Sequence, residues 1–169
     1  IGTGGDSTPS GSTGGAGFIA ETNSRTALYL ATTSTAGQGL ARFYNPNGQV
    51  GTIVVTGSST AYNTSSDHRL KENVVDIADG ITRVKQLQPR RFNFIADADT
   101  IVDGFIAHEA QTVVPEAVTG AKDEVDDDGN PVMQGIDQSK LVPLLTAALQ
   151  EAIAKIESLE TRIATLENN

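Results

Sequence analysis

Near its C-terminal end the chain reads LTAALQEAIAKIESLETRIATL over residues 145–166. Its apolar side chains recur at alternating steps of four and three residues, which gives an unbroken heptad seam of Leu145, Leu149, Ala152, Ile156, Leu159, Ile163 and Leu166. This repeat, with Leu149, Ile156 and Ile163 at position a, is typical of a coiled coil. We therefore predict a long helix over about 139–169 that associates with other helices from Ile153 onward. Pro143 is close enough to the start of this helix to be tolerated.

Two aspects of this helix stay open on sequence alone. A helix that packs on its own domain is the alternative, although it would tolerate a wider apolar stripe without a strict 3.5-residue period. The number of associating helices is also open. Ile at a with Leu at d nominally favours a parallel dimer, but Ala152 and flanking domains can override that preference.

Upstream of this helix, the apolar pattern predicts a mixed segment of helices and strands. Steps of four and three residues from Leu70 to Leu87 favour an amphipathic helix, with a possible break at Gly80 and an end at Pro89. The rest is expected to hold strands over 91–95 and 102–107 joined by a turn over 97–100, a short helix over 108–114 closed by Pro115, and a hairpin whose strands 118–125 and 131–136 flank the turn 126–130.

Residues 1–65 differ in composition from the rest of the chain. They hold 12 of the 17 glycines and carry no net charge, whereas residues 66–169 carry the whole net charge of −9. Residues 2–17 are rich in Gly, Ser and Thr and have too little apolar surface to offset the entropy of ordering, so we interpret them as a tail, a linker or a strand borrowed by neighbours. Short β-rich runs between turn residues follow at 17–21, 26–31, 40–44 and 50–55.

Three or four such strands bury little within one chain. We therefore interpret residues 1–65 as the end of an intertwined oligomeric β-stem, with a small monomeric sandwich or disorder as alternatives. The predicted fold class is α+β, in which this β-rich stem precedes a mixed α/β domain over 66–169 that ends in the coiled-coil helix.

Composition excludes several functional classes. An acidic chain without a basic stripe is expected to bind neither nucleic acid nor a membrane surface. The absence of cysteine removes disulfides, thiolate zinc sites and cysteine nucleophiles, and we expect no cofactor and no metal. The acidic run from Asp123 to Asp128 raises the alternative of a calcium loop, but it lacks the alternating ligands and terminal Glu of an EF-hand, so a solvated hairpin is favoured.

The ends of the chain and its apolar runs carry further expectations. No apolar run approaches the roughly 20 residues that span a bilayer. The N-terminal residues also lack the basic and apolar regions of a signal peptide. We expect the sequence to be a fragment of a longer protein.

Three ordered blocks carry a resemblance to a known family. The segment TSSDHRLKENV, residues 64–74, resembles the opening of the C-terminal intramolecular chaperone domains of phage tail spikes, tail fibres and neck appendages, typified by the endosialidase tail spike. The blocks GFIAHE (104–109) with VPEAV (114–118), and SKLVPLLTAALQE (139–151), are similar to later parts of that family. His108 departs from it, because Gln is commoner there. The upstream run FYNPNGQVGTI (43–53) also looks like a last stem repeat.

The resemblance implies a homotrimer. In this family the chaperone domain brings three copies of the upstream stem of the same chain into register and then cuts itself off with a serine and lysine pair. The matching positions place the nucleophile at Ser66 and its lysine partner at Lys71. The stem then belongs to a phage virion tail fibre or spike, and the chaperone domain acts in the host cytoplasm during assembly and is released.

The chemistry of such a pair sets further expectations. A serine hydroxyl needs a base, and a neutral amine can serve when its environment lowers its pKa, so we expect Lys71 to be partly buried beside an apolar wall, which a neighbouring subunit can supply. Positions five apart diverge on a continuous helix, so a turn must separate the two, or they meet across subunits. Attack of Ser66 on the carbonyl of Ser65 passes through a five-membered ring, so the predicted cleavage lies between Ser65 and Ser66.

Several alternatives accompany this interpretation. Asp67 and Arg69 either support the reaction, by positioning the turn or the oxyanion, or are merely cap and surface residues. A Ser66, His108 and Asp103 triad is conceivable on composition but disfavoured. The whole chain is alternatively a fibre tip that stays attached and binds a host surface, or a trimerisation module without chemistry.

Overall fold

The computed structural model describes residues 15–21 and 25–168, and side chains from Leu28 to Asn168. The predicted tail over 2–17 lies almost entirely outside the described residues. The chain divides into two compact units between Val74 and Val75. The predicted domain boundary at 65/66 stays a prediction, and each unit is described by itself.

The first unit is made of short antiparallel sheets. Strands β1 (Gly15–Glu21) and β2 (Arg25–Ala31) pair with each other, and β3 (Gln38–Asn45), β4 (Gly48–Thr56) and β5 (Ser59–Thr64) form a second sheet in that order. The four predicted strands lie within β1 to β4 and are confirmed. The β3–β4 turn is confirmed as well: the Asn47 N–H donates to the Asn45 side chain, and Gly48 adopts a positive φ of 104°.

The sequence reasoning missed β5. Its residues, STAYNT, are all exposed and mostly polar, so they show no apolar alternation. It forms because Gly57, at a φ of 56°, closes a tight turn after β4 and continues the meander. None of the side chains described between Leu28 and Thr64 is buried, which confirms that these strands bury little within one chain.

The predicted helix from Leu70 to Leu87 is wrong for most of its length. A 3₁₀ turn covers His68–Leu70, residues 71–79 are not helical, and α1 covers only Gly80–Val84. The helix begins there because the N–H groups of Gly80 and Ile81 donate to the Glu151 carboxylate, which caps them. Upstream, Leu70 and Val74 are 69% and 79% exposed in the single chain, so the apolar pattern buries too little surface there to favour a helix.

The second unit holds the core and the remaining elements. Its elements are β6 (Arg90–Phe94), β7 (Asp97–Gly104), α2 (Ala107–Gln111), a 3₁₀ turn (Pro115–Ala117), β8 (Val118–Thr119), β9 (Gly135–Ile136), a second 3₁₀ turn (Gln138–Leu141) and α3 (Val142–Glu167). The long C-terminal helix with Pro143 in its first turn is confirmed, as is the short helix before Pro115. Residue 169 lies outside the described residues.

Two hairpins differ in detail from their predictions. The turn expected over 97–100 lies instead at Ile95-Ala96, and Asp97 already belongs to β7, because a register shift next to Phe94 absorbs the extra residues. The hairpin around 126–130 is confirmed, although its strands β8 and β9 are only two residues long. There the Asp126 carboxylate accepts from the N–H groups of Asp128 and Asn130, which fixes the turn.

A single apolar core joins the elements of the second unit. Its buried members are Leu87, Ala110, Val113, Val114, Ala117, Val118, Leu141 and Leu144. Helix α1 lies so close to α3 that a Cβ added at Gly80 would come within 2.5 Å of the Ala148 nitrogen, so only glycine fits there.

Helix α3 has two different faces. Leu141, just before it, and Leu144, Ala147 and Ala148 are buried against the helix's own unit. Apart from the half-buried Ala152, the heptad seam is left open instead, with exposed fractions from 47% at Leu145 to 76% at Leu166. A helix that only packs on its own domain would not leave a continuous apolar seam in water.

Candidate functional site

Ser66 and Lys71 meet across a tight turn. The Lys71 ammonium Nζ donates a hydrogen bond of 2.7 Å to the Ser66 hydroxyl Oγ. The 3₁₀ turn His68–Leu70 reverses the chain between them, and Lys71 leaves this turn in an extended conformation, with φ −127° and ψ 142°. Of the two predicted arrangements, a turn between the residues or a meeting across subunits, the single chain shows the turn.

Asp67 and Arg69 build this turn. The Asp67 carboxylate accepts from the Arg69 backbone N–H at 2.9 Å, and its two oxygens accept from the Arg69 guanidinium at 2.9 and 2.8 Å. These bonds, the side-chain ones first, hold the pKa of Asp67 below its ordinary value. Asp67 is therefore the cap of the turn and stays ionised around neutral pH. The side chain of His68, in the same turn, is exposed.

Ser65 is tied to the sheet of the first unit. Its N–H donates to the Val50 carbonyl at 3.1 Å, one step beyond the last β4–β5 pair, Gly51 with Thr64. Its hydroxyl donates to the Gln49 carbonyl at 2.9 Å. The predicted scissile bond, Ser65 to Ser66, therefore lies between the end of a paired strand and the start of the 3₁₀ turn.

The expected burial of Lys71 is wrong for the single chain. Ser66 and Lys71 are both exposed, as are all the other residues of the segment from Ser66 to Asp79. The apolar neighbours Leu70 and Val74 are themselves exposed. One chain thus brings the two side chains together but does not shield them from water.

One comparison with known protein families finds a match within the chain. Residues 66–119, which begin at Ser66, match the S74 peptidase family, described as the chaperone of endosialidase. The chain carries a chaperone of endosialidase domain. For residues 66–119, this match implies an intramolecular chaperone and autoproteolytic role in phage fibres, in a family that is typically trimeric. No curated protein matches the chain.

The chaperone domain keeps other polar groups occupied in ion pairs of its own. The Arg90 guanidinium binds Glu109, with bonds of 2.9 and 2.7 Å, and that of Arg91 binds Asp103 at 2.7 and 2.9 Å. These bonds hold the pKa values of Glu109 and Asp103 below their ordinary values. Among the residues of the disfavoured triad, Asp103 is thus engaged by Arg91.

Clusters of acidic side chains and long apolar helices are the features that bear on metal binding and membrane insertion. Within residues 15–21 and 25–168, no three His, Cys, Asp or Glu side chains converge as metal ligands would. In the acidic hairpin, Asp126 instead caps the turn through backbone N–H groups. No helix in the described part of the chain is both long and apolar enough to cross a bilayer.

Sequence reasoning identified the pair at Ser66 and Lys71 but missed the contribution of β4. Gln49 and Val50 accept the hydrogen bonds of Ser65 through their backbone carbonyls, and such a bond does not depend on the residue type of the acceptor. The single available signal was the turn chemistry after β4, which implies a returning strand and hence a partner for Ser65.

Proposed function

We propose that this chain is the end of a phage tail fibre or spike stem followed by an intramolecular chaperone that trimerises and registers the stem and then releases itself. Release is by autoproteolysis between Ser65 and Ser66, with Ser66 as nucleophile and Lys71 as base. The observation that carries the proposal is the 2.7 Å contact between Lys71 Nζ and Ser66 Oγ at the first residue of the family match.

The first chemical step moves the acyl group from nitrogen to oxygen. Ser66 Oγ attacks the carbonyl carbon of Ser65 while the neutral amine of Lys71 accepts the hydroxyl proton. The C–N bond then breaks, and the Ser66 nitrogen takes a proton from the Lys71 ammonium. The product is an ester that links the Ser65 acyl group to Ser66 Oγ.

Water completes the reaction. It attacks the ester carbonyl while Lys71 accepts its proton, and Ser66 Oγ leaves and is reprotonated. The stem then ends in a Ser65 carboxylate, and the released chaperone begins with a free Ser66 amine. The reaction happens once per chain, because the substrate bond is part of the enzyme.

Trimerisation supplies what one chain lacks. The open seam of α3 is a ready contact for two further copies of the helix. A trimer also raises the effective concentration of three stems in which no described side chain is fully buried in the single chain. It also offers the neighbouring subunit as the apolar cover expected for Lys71, since desolvation favours the neutral amine needed as a base. After cleavage the stem is no longer joined to the chaperone, so it cannot unfold and refold by the same route. Its lifetime is then set by a slow rate of unfolding.

The proposal assigns locations as well. The stem remains in the virion as part of the fibre or spike, whereas the chaperone acts in the host cytoplasm during assembly and is then released.

Mass spectrometry of the expressed chain tests the proposal. The wild type should yield a fragment that begins at Ser66, and Ser66→Ala and Lys71→Ala should remain intact. Lys71→Arg is the sharper variant, because a guanidinium retains the charge and the hydrogen bond but cannot act as a base. It too should remain intact, whereas the control variants Ser58→Ala and Lys85→Ala should cleave as the wild type does.

Two results would contradict the assignment. A fragment that begins at Asp67 would exclude attack of Ser66 on Ser65. A wild-type chain that forms trimers and stays intact would favour the alternative of a retained fibre tip that binds a host receptor.

A further inference from the structure

The residue before the scissile bond is held by the stem. Along β4 and β5 the pairing runs from Thr56 with Ser59 to Gly51 with Thr64. The Ser65 N–H continues this ladder with its bond to the Val50 carbonyl. The hydroxyl of Ser65 adds a second bond, to the neighbouring Gln49 carbonyl. Ser65 is thus fixed to β4 by its backbone and by its side chain.

The residue after the scissile bond is held by different groups. Ser66 Oγ contacts Lys71, and the following turn is closed by the bonds from Leu70 N–H to the Asp67 carbonyl and from Lys71 N–H to the His68 carbonyl. The peptide bond between Ser65 and Ser66 is therefore the junction of two separately restrained segments.

Such restraint matters for attack through a five-membered ring. Ser66 Oγ must approach one face of the Ser65 carbonyl, and rotation about the Cα–C bond of Ser65 decides which face is presented. Two bonds on Ser65 limit that rotation, and holding reacting groups in a near-attack geometry is a large source of rate. If the hydroxyl bond is lost, only the N–H bond to Val50 remains.

We propose that Ser65 is a positioning residue for self-cleavage, because its hydroxyl locks the scissile carbonyl to the Gln49 carbonyl of β4. This inference rests on the proposed function and adds a condition to it. Cleavage is fast only where β4 stands in register beside residue 65, so the dyad responds to the folded state of the last stem strands.

Two variants of equal shape test the role of the hydroxyl. Ser65→Thr and Ser65→Val are both β-branched and nearly isosteric, so they share strand propensity and bulk, but only Thr keeps the hydroxyl. We expect Ser65→Thr to retain most of the wild-type cleavage rate. Ser65→Val should be slower than Ser65→Thr by roughly threefold to tenfold, the range of one neutral hydrogen bond. The rates are followed by mass spectrometry after assembly, and light scattering verifies the same oligomer in each variant.

Hydroxylamine locates the affected step. It cleaves esters rapidly, so in excess it makes the acyl shift, and not hydrolysis, limit the rate. A positioning role in the attack predicts that the difference between Val and Thr persists in hydroxylamine.

The outcomes separate this inference from the proposed function. If the wild type itself is not cleaved at Ser66, the proposed function fails. If the wild type is cleaved and the two variants react at the same rate, or differ only without hydroxylamine, the positioning role is overturned and the dyad assignment survives. If the Val variant has the same oligomeric state and β content as the Thr variant but reacts more slowly in both conditions, the positioning role is supported.

Discussion

The proposed stem strands, β1 to β5, and the second unit (Val75–Asn169), called the chaperone unit below, differ in how much apolar surface they bury. Among the described side chains, none between Leu28 and Asp79 is buried, whereas ten apolar residues from Leu87 to Ala148 are. The stem even leaves aromatic residues exposed, with Phe43, Tyr44 and Tyr62 between 53% and 79% accessible. An isolated sheet of this kind is marginal in water, so the chaperone unit is the part that can fold first.

The difference in charge follows the same division. The acidic residues concentrate in residues 66–169, which include the buried core, whereas residues 1–65 are neutral and rich in glycine. Net charge keeps a module soluble and separate, while an uncharged strand surface allows close contact between copies. The acidic composition therefore fits the proposed release of the chaperone, and the neutral composition fits the proposed assembly of the stem.

The largest effect is expected from charges placed in the seam of α3. Ile156→Asp with Ile163→Asp puts carboxylates at two a positions, where burial between helices is costly. We expect loss of the oligomer, of stem β-structure and of cleavage, measured by light scattering, circular dichroism and mass spectrometry. Ala154→Asp with Thr161→Asp adds the same charge outside the seam and is expected to leave all three unchanged. An intact oligomer in the first variant would show that the stem assembles without the helix.

A smaller effect is expected from crowding inside the chaperone unit. Gly80→Ala places a Cβ within 2.5 to 2.8 Å of the backbone of Ala147 and Ala148, which forces α1 away from α3. We expect the free energy of unfolding to fall by about 1–3 kcal/mol, measured by urea denaturation.

Gly104→Ala is the matched control for that change, because its Cβ meets only the Phe92 ring at 3.4 Å. An equal loss in both variants would mean that the close approach of the helices contributes nothing specific.

The smallest effect is the loss of stability expected at acidic pH. Hydrogen bonds lower the pKa values of Asp103, Glu109, Asp126 and Asp137, all in the chaperone unit. A carboxylate with a lowered folded pKa stabilises the fold above its ordinary pKa and loses that contribution as the pH falls through the folded value. We therefore expect the chaperone unit to lose stability progressively below about pH 4.

Thermal unfolding between pH 7 and pH 2.5 measures this loss. Asp126→Asn should flatten the pH dependence because it removes one titrating cap, whereas Asp127→Asn, in the same turn, should retain more of the wild-type slope. Identical slopes in the two variants would exclude the capping bonds as the source.

The elements that the sequence predicts well are those whose partners lie nearby in the chain. The heptad repeat requires only helical geometry, and the turn at Asn45 to Gly48 requires only local chemistry. The helix expected from Leu70 fails for the opposite reason. Its apolar spacing is real, but α1 begins at Gly80 because of a cap from Glu151, far away in sequence. Strand β5 was missed because polar exposed residues carry no period at all.

The candidate site shows the same limit. The spacing of Ser66 and Lys71 required either a turn or a meeting across subunits, and the single chain shows a turn that Asp67 caps through the Arg69 N–H. The cover expected for Lys71 depends on groups outside its own segment, and the contacts of Ser65 depend on carbonyls of β4. Neither the identity nor the position of those partners is written in the motif.

The bonds of Ser65 also determine what kind of end a cut after this residue leaves behind. A new chain terminus usually frays and gives exopeptidases a loose tail to grip. Here the last residue would remain clamped to the neighbouring strand by its amide and its hydroxyl. The new C-terminus of the proposed mature fibre would therefore be ordered from the moment of cleavage, with no loose residues for a protease to remove.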